Sequence, residues 1–475
     1  MKVLLINPPI RENAKPINFP IGLGIIASVL LENGHEVEVF DINALRLSKD
    51  QVISNLKKYS PDLIGIGGLI TTYKYLKWII PEIKSIFPNL KIIVGGGVVT
   101  ENPEILLKAT VADYAVIAEG EITIVELLDA LISNTDLSEV KGLAFKNDQG
   151  NIIINPKREL IKNLDDSPMP AYHLFPMDIY LMNQSHSRIL GRQPEMNIIT
   201  SRGCPYNCNY CYHIFSKGVR YRSINSVIEE IKFFIDSYQV HSFILIDETF
   251  TINTKRVTEF CEALKRENII ITWSCYARVS LVEKNLLKTM KEAGCYRIGF
   301  GIESGSQKIL DLMNKKETVE QAERAIKVVR KSGMICGTTF MCGYIGETKE
   351  TMRETVSFCK KHLISTSFFF TTPYPGTQLY SIVEDKVLRK YTNLDNFMET
   401  LGDVSDFVVN LTDFSDDELI QHRDQMNRDV QKIPLLQKPR YYYYLYQQLG
   451  IKLFYKRMIN NFYQRTIQKK ETATK

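Results

Sequence analysis

No apolar run in the chain is long enough to cross a bilayer: stretches such as Val3–Ile6 and Phe243–Ile246 are strand-length. Met1-Lys2 leads straight into a strand, without the apolar core and cleavage site of a secretory signal. The expectation is therefore a cytoplasmic chain. Cysteine is sparse and uneven: nine residues, none before Cys204, at irregular spacing. That excludes a disulfide framework and suits a reducing compartment. No G-x-G-x-x-G follows the first strand, which weighs against a dinucleotide. A large excess of charge of one sign is missing from most of the chain. From Lys438 to Lys475 nine Lys or Arg stand against the single acid Glu471, so the tail accounts for the net +5.

What is present reads as an α/β protein of about two or three domains. Hydrophobic residues make up 44% and charged residues 24%, the balance of a globular chain. Residues 1–140 alternate strand and helix. Strands are expected at Lys2–Asn7, Glu36–Phe40, Leu63–Gly67, Lys91–Gly95 and Tyr114–Ala118. Helices between them imply a doubly wound, Rossmann-like parallel sheet with ligands at the carboxyl ends of the strands. Glycine and small polar residues gather at those ends: Asn7; Gly67, Thr71 and Thr72; Gly95, Gly96 and Gly97; Glu119 and Gly120. Such loops let backbone N–H groups approach a bulky ligand, or simply turn the chain tightly.

Residues 141–190 read as a linker containing a hairpin around Asn147-Asp148-Gln149-Gly150. Over 191–385 the alternation resumes with longer periods, in six units with strands at Asn197–Thr200, Ser242–Asp247, Ile269–Tyr276, Arg297–Glu303, Met334–Met341 and Ser367–Thr372. That count suits a partial, six-stranded (β/α) barrel with its chemistry at the strand carboxyl ends. Residues 386–475 form a helical region, with a helix start at Ser415-Asp416-Asp417-Glu418. In the tail Ile451, Phe454, Tyr455, Met458, Ile459, Phe462 and Tyr463 share one helical face, and Lys452, Lys456 and Arg465 fall around the other. This pattern fits either a basic amphipathic helix on an anionic membrane or a helix docked on the barrel. No recognition fold for nucleic acid accompanies it.

Three cysteines, Cys204, Cys208 and Cys211, follow the first barrel strand within eight residues. Three thiolates suit a cubane iron–sulfur cluster with one open iron, whereas structural zinc wants a fourth ligand, for which His213 is the neighbouring candidate. Of the other six cysteines, Cys261, Cys295, Cys336 and Cys359 read as small core residues, and Cys275 and Cys342 lie nearer the proposed site with nothing in the sequence to make them reactive.

The run Cys204-Pro-Tyr-Asn-Cys208-Asn-Tyr210-Cys211 resembles the signature of the radical S-adenosylmethionine (SAM) superfamily. The resemblance implies one [4Fe-4S] cluster held by Cys204, Cys208 and Cys211, with Tyr210 before the last cysteine. It implies SAM bound at the open iron and cleaved to a deoxyadenosyl radical. It places SAM contacts at Asp247 and Glu248 after strand two, Arg278 after strand three, Glu303 and Ser304 in Gly299–Gly305, and Gly343 and Tyr344 after strand five. Ile345 stands where that family usually has proline.

Upstream, Asn7-Pro8-Pro9, Pro20–Gly24, Gly34–Val37 and the three strand-end loops resemble the cobalamin-binding domain of cobalamin-dependent radical SAM proteins. The histidine that serves many corrinoid domains as lower cobalt ligand is missing after the first strand. His35 lies at the opposite edge of the sheet, so cobalamin is expected without a protein histidine beneath it. These resemblances imply an enzyme that methylates an unactivated carbon of a small-molecule or lipid substrate, with an external electron donor such as flavodoxin or ferredoxin. Cyclase, oxidase or rearrangement chemistry with the same cofactors is one alternative, and a non-catalytic corrinoid or cluster sensor is another. A methylthio-transferring tRNA modifier is disfavoured, because no cysteine precedes Cys204 to hold a further cluster.

Overall fold

A computed structural model describes residues 1–11, 18–182, 193–213, 215, 217–403 and 405–431. The first sheet has seven strands in the order β2-β1-β3-β4-β5-β6-β7. Strands β1 (Lys2–Asn7), β2 (Glu36–Asp41), β3 (Leu63–Gly67), β4 (Lys91–Gly95) and β5 (Tyr114–Val116) run parallel. In β1, second in that order, Val3, Leu4, Leu5 and Ile6 are all at most 2% exposed, because helices cover both faces. The period of two sorts them. Val3 and Leu5 join the core that includes Leu30, Leu127 and Leu128, while Leu4 and Ile6 join Leu76, Ile79 and Ile83.

The structure departs from expectation at the far edge of this sheet. The strand expected over Tyr114–Ala118 stops at Val116, and Ala118 takes a left-handed backbone with φ of 62°. The hairpin expected in a linker instead extends the sheet. Strand β6 (Leu143–Lys146) pairs antiparallel with β5, and β7 (Ile152–Ile154) pairs with β6. Without β6, the backbone groups along β5 would form an open edge. The hairpin turn is held by the Asn147 side chain, whose Oδ1 accepts from the N–H of Gln149 and Asn151.

The second sheet has six parallel strands in the order β15-β14-β13-β12-β11-β8. They are β8 (Met196–Ile198), β11 (Ser242–Leu245), β12 (Thr272–Ala277), β13 (Cys295–Glu303), β14 (Ile335–Cys342) and β15 (Phe368–Phe370). A short ladder of β9 (Ser201–Arg202) and β10 (Arg220–Tyr221) stands apart and carries the cysteine loop between its strands. Cys261, Cys275, Cys295, Cys342 and Cys359 are buried in the barrel core, and Cys336 is half-buried.

The helical region after the barrel splits between the two sheets. Helices Gln378–Lys390 and Leu394–Glu399 place Leu379, Tyr380 and Phe397 in the core that also holds Leu4 and Ile64 of the first sheet. Helix Asp416–Gln431 packs Leu419, Met426 and Val430 against the barrel core. Its start is a reciprocal cap: the Glu418 N–H donates to Ser415 Oγ, and the Ser415 N–H donates to the Glu418 carboxylate. The basic tail lies outside the described residues. Among the described residues no helix is long and apolar enough to cross a membrane.

Candidate active site at the barrel mouth

The β9–β10 ladder pairs Arg202 with Arg220 and Ser201 with Tyr221, and so closes the base of the cysteine loop. Gly203 turns the chain into that loop with φ of 95°. The far side of the loop is tied down by Asn209. Its N–H donates to the Met313 carbonyl (3.0 Å), its Nδ2 to the Leu312 carbonyl (3.0 Å), and its own carbonyl accepts from the Leu379 N–H (2.8 Å). Asn314 Nδ2 adds a bond to the Asn207 carbonyl (2.7 Å). The cysteine loop is thus held by two segments remote in sequence, residues 312–314 and the start of helix Gln378–Lys390.

Cys204, Cys208 and Cys211 are each half-buried. Burial, with Glu248 and the other two thiols alongside, pushes the Cys211 thiol up to about 12, and burial also raises Cys204. Ligation to metal therefore has to displace protons here. Among the described residues no three His, Cys, Asp or Glu side chains converge as ligands of a single ion would. A cubane, in which each thiolate takes its own iron, suits the three-cysteine loop.

A network of charge surrounds the loop. Arg278 lies over the Tyr206 ring at 3.8 Å, donates to Cys208 Sγ at 3.6 Å and to the Lys315 carbonyl, and pairs with Glu317 at 3.4 Å. Lys315 Nζ reaches Tyr210 Oη (3.3 Å), Glu317 (3.5 Å) and Glu303 (3.9 Å), and Tyr210 Oη donates to Glu303 (3.5 Å). The structure therefore brings Cys208, Tyr210, Arg278 and Glu303 together. Lys315, Glu317 and Tyr206 join them, and the sequence reading did not single these out. Lys315 and Glu317 lie in a loop where Asn314 and Lys316 both have positive φ, so no helical or strand period marked them.

Glu303 itself has φ of 69°, at a bulge in the β13–β14 register. A non-glycine residue there is strained, by about 1–3 kcal/mol, and such strain gathers at functional sites. Burial raises its carboxyl pKa, against the pull of Lys315. A Cβ on Gly301 would collide with the Glu303 carboxylate, which folds back over it. Gly301→Ala is expected to displace Glu303 from Tyr210 and Lys315, cost about 1–3 kcal/mol by overpacking, and weaken SAM binding. Thermal melts and SAM titration check it; unchanged values in both would refute the role of this contact.

Several expected ligand contacts prove to be internal struts. Asp247 spends its carboxylate on the Thr200 N–H (2.6 Å), the Thr200 hydroxyl and the Ser201 hydroxyl (2.7 Å), tying the end of β11 to the start of the cysteine loop. Ser304 bonds Thr355 Oγ1 (3.1 Å) and accepts from the Ser306 N–H (3.1 Å), and is 1% exposed. Asn7 donates to Asp41 (2.8 Å) and Tyr180 (3.1 Å) inside the protein. Glu119 is 5% exposed at its side chain and takes Arg202 (2.7 Å), Arg220 (2.8 Å) and the Ile161 N–H (2.9 Å), while Arg202 also takes Glu121 (2.7 Å). The reason is common to all four: position at a strand end does not fix the direction of a side chain. Glu248 does reach solvent at the mouth, where burial of its surroundings and then the Asp247 charge push its carboxyl up to about 7.

Gly343 and Tyr344 also serve the fold. Gly343 turns at φ of 84° beneath Leu419, and Tyr344 is 2% exposed with its hydroxyl on the Leu312 carbonyl (3.3 Å). The Gly343 N–H donates to Glu347, whose burial raises its pKa from 4.5 to about 7. The folded protein thus holds this proton more tightly than the unfolded chain. Its contribution, about 3 kcal/mol, is complete below about pH 4.5 and is lost as pH rises through about 7. Glu347→Gln is expected to flatten that decline in urea melts taken across the window; an unchanged slope would refute it.

The loops of the first sheet form a shelf beside the cysteine loop. Gly67, Gly68 and Gly96 let two strand-end loops touch backbone to backbone: a Cβ on Gly96 would lie 2.7 Å from the Gly68 carbonyl. Thr72 caps this packing with its hydroxyl on the Leu69 carbonyl (2.7 Å), and Thr71 is half-buried beside it. Gly120 packs closely on Val116 and Ile26. By contrast Gly95 is open above, and Leu69 is 41% exposed. A glycine-floored face with an exposed apolar residue fits a flat macrocycle. Tyr212, next to Cys211, donates to the Gly97 carbonyl (2.7 Å) and so joins shelf to cysteine loop. His35 lies at the other end of the sheet, against the N-terminal amine at 3.5 Å.

A parallel half-barrel with a three-cysteine loop at its mouth defines a class, and comparison with known proteins agrees. Residues 198–359 match the radical SAM superfamily, and residues 8–128 match the B12 binding domain. The chain is 35% identical to an uncharacterized methyltransferase of Pyrococcus horikoshii, over 84% of this chain and 88% of that protein. It is 28% identical to an anaerobic magnesium-protoporphyrin IX monomethyl ester cyclase of Rubrivivax gelatinosus, over 82% and 71%. Its fold is similar to that of the radical SAM methyltransferase TsrM from Kitasatospora setae, with a TM-score of 0.66 and 20% identity over 82% of this chain and 75% of that one. The chain belongs to the radical SAM superfamily, in the branch with an N-terminal B12-binding domain that contains methyltransferases and anaerobic cyclases. Its cofactors are a [4Fe-4S] cluster, SAM and cobalamin.

Proposed function

We propose that this enzyme transfers a methyl group to an unactivated carbon of a lipid or natural-product substrate held between the barrel mouth and the first-sheet shelf. The observation that carries this reading is the Tyr212–Gly97 bond, which sets the cysteine loop against the strand-end loops. When bound, the cluster supplies the electron that splits SAM into a hydrogen-abstracting radical, and cobalamin supplies the methyl group. The chain's own residues position and shield. Arg278 and Tyr206 brace Cys208, Tyr210 and Lys315 hold Glu303 at the mouth, and Arg202 clamps the shelf through Glu119 and Glu121. Glu248 at the mouth suits a cationic ammonium. An external flavodoxin- or ferredoxin-like donor supplies electrons, and the basic tail is the candidate contact with a membrane.

Cyclase or oxidase chemistry is the second reading, supported by similarity to the magnesium-protoporphyrin cyclase. Anaerobic incubation of reconstituted protein with SAM, cobalamin, reductant and candidate substrates separates them. Methyl transfer yields deoxyadenosine together with S-adenosylhomocysteine. Deoxyadenosine alone would move the assignment to the second reading, and neither product would overturn both in favour of a sensor.

A further inference from the structure

The seven-stranded sheet ends at β7, and among the described residues no strand lies beyond it. Antiparallel ladders alternate, so the inward and outward backbone groups of β7 can be assigned. The Asn147 N–H donates to the Asn151 carbonyl and the Asn155 N–H to the Leu143 carbonyl, both at 2.9 Å. Residues 151, 153 and 155 therefore turn their backbone groups toward β6. Ile152 and Ile154, which stand opposite Lys146 and Ala144, turn theirs out of the sheet. On the far side of β6 the Lys146 N–H donates to the Asp113 carbonyl (3.2 Å), as that alternation requires.

Sheet edges are usually guarded against pairing with another chain. At the opposite edge, β2 carries Glu36 and Glu38, which Lys2 meets at 3.6 and 3.0 Å. The β15 edge of the barrel sheet is covered by helix Asp416–Gln431, whose Asn427 Oδ1 accepts from the Phe368 N–H (2.9 Å). β7 has no such guard. From Gln149 to Pro156 there is no charged residue, and the strand itself is a run of isoleucine, a strong strand former. Ile153 is 37% exposed on one face and Ile154 is 46% exposed on the other. Pro156 stands at the next outward position and ends the edge without blocking Ile152 or Ile154.

The run Asn151-Ile152-Ile153-Ile154-Asn155 reads the same in both directions. An antiparallel copy centred on Ile153 would therefore meet like with like. We infer that β7 is a dimer surface whose partner is β7 of a second copy of this chain, the two sheets joining into one about a two-fold axis. Ile152 of one copy faces Ile154 of the other, and each such pair exchanges both of its N–H···O bonds. The two Ile153 side chains meet on the axis. In the same register the exposed acid Asp148 of one copy lies beside the exposed Lys157 of the other, so the ends of the pairing attract. The inference is independent of the chemistry proposed for the barrel mouth.

The test is anaerobic sedimentation velocity of the reconstituted full-length enzyme across the micromolar range, with hydrogen exchange read at the same concentrations. A monomer–dimer equilibrium is expected, with protection of the Ile152 and Ile154 N–H groups rising as the dimer forms. Ile153→Lys sets two like charges on the axis and is expected to weaken dimerisation by roughly tenfold or more. Ile154→Pro removes an outward donor but no bond to β6. It is expected to weaken the dimer as well, and serves should Ile153→Lys fail to fold. Wild-type protein that stays monomeric, with an edge that exchanges freely, would overturn the proposal and leave the edge to a strand of another protein. Protection already complete in a monomer would overturn it in favour of the chain's own tail. A dimer that both variants leave intact would overturn it by placing the interface elsewhere.

Discussion

Cys208→Ala is expected to lose the cluster's visible absorbance and to reduce deoxyadenosine formation to background, while the protein stays folded. Cys208 is half-buried at the mouth, and the braces of its loop run through Asn207 and Asn209 backbone groups that the substitution leaves intact. The loss should exceed the roughly 10–100-fold typical of changing a residue that only supports a ligand. Arg278→Gln, which removes the contact to Cys208 Sγ at 3.6 Å but not the ligand, should fall within that smaller range. Cys275→Ala, in the barrel core, should leave the cluster in place. Iron content, the visible spectrum and deoxyadenosine yield read all three. A Cys208→Ala protein that keeps iron and cleaves SAM would remove the three-cysteine assignment.

The second large effect concerns the clamp between the domains. Arg202 stands two residues before Cys204, and its guanidinium divides between Glu119 and Glu121 of the shelf at 2.7 Å each. All three side chains are at most 10% exposed. Burial opposes ionisation of Glu119, yet Arg220 and Arg202 together hold its carboxyl below the ordinary range. Arg202→Met leaves two buried carboxylates with one remaining cation, Arg220, and is expected to cost about 3–5 kcal/mol. It should also loosen the 119–121 loop from the base of the cysteine loop, so cobalamin retention should drop in parallel. Denaturant melts and the cobalt content of desalted protein measure both. A loss below about 1 kcal/mol, the range of an exposed pair, would contradict the clamp.

The strands of the first sheet were legible because proline and glycine punctuate them: Lys2–Asn7 ends at Pro8-Pro9, and Leu63–Gly67 and Lys91–Gly95 end in glycine runs. The three-cysteine loop was legible from spacing alone. Pairing beyond the local chain was not. Nothing in Leu143–Ile154 announces that the hairpin completes the sheet beside β5, or that Leu379 and Phe397 pack on that sheet rather than on the barrel. The polar strand-end residues show the same limit at the site. Sequence placed Glu119, Asp247, Ser304 and Asn7 at the correct edges, but partners far along the chain turned them inward: Arg202, Thr200, Thr355 and Asp41. Lys315 and Glu317 were missed for the converse reason. Their importance lies only in what they meet, Tyr210, Glu303 and Arg278, and no local pattern carries that information.

The central claim is that one chain presents a cluster loop and a corrin shelf to the same space, joined at Tyr212 and Gly97. It is tested most directly by reconstituting the protein anaerobically with iron, sulfide and cobalamin, desalting it, and measuring iron, cobalt and the visible spectrum. The account predicts about four irons and about one cobalamin per chain. The cobalamin spectrum should also lack the signature of a protein imidazole on cobalt. Protein that keeps its iron but washes free of cobalamin would contradict it.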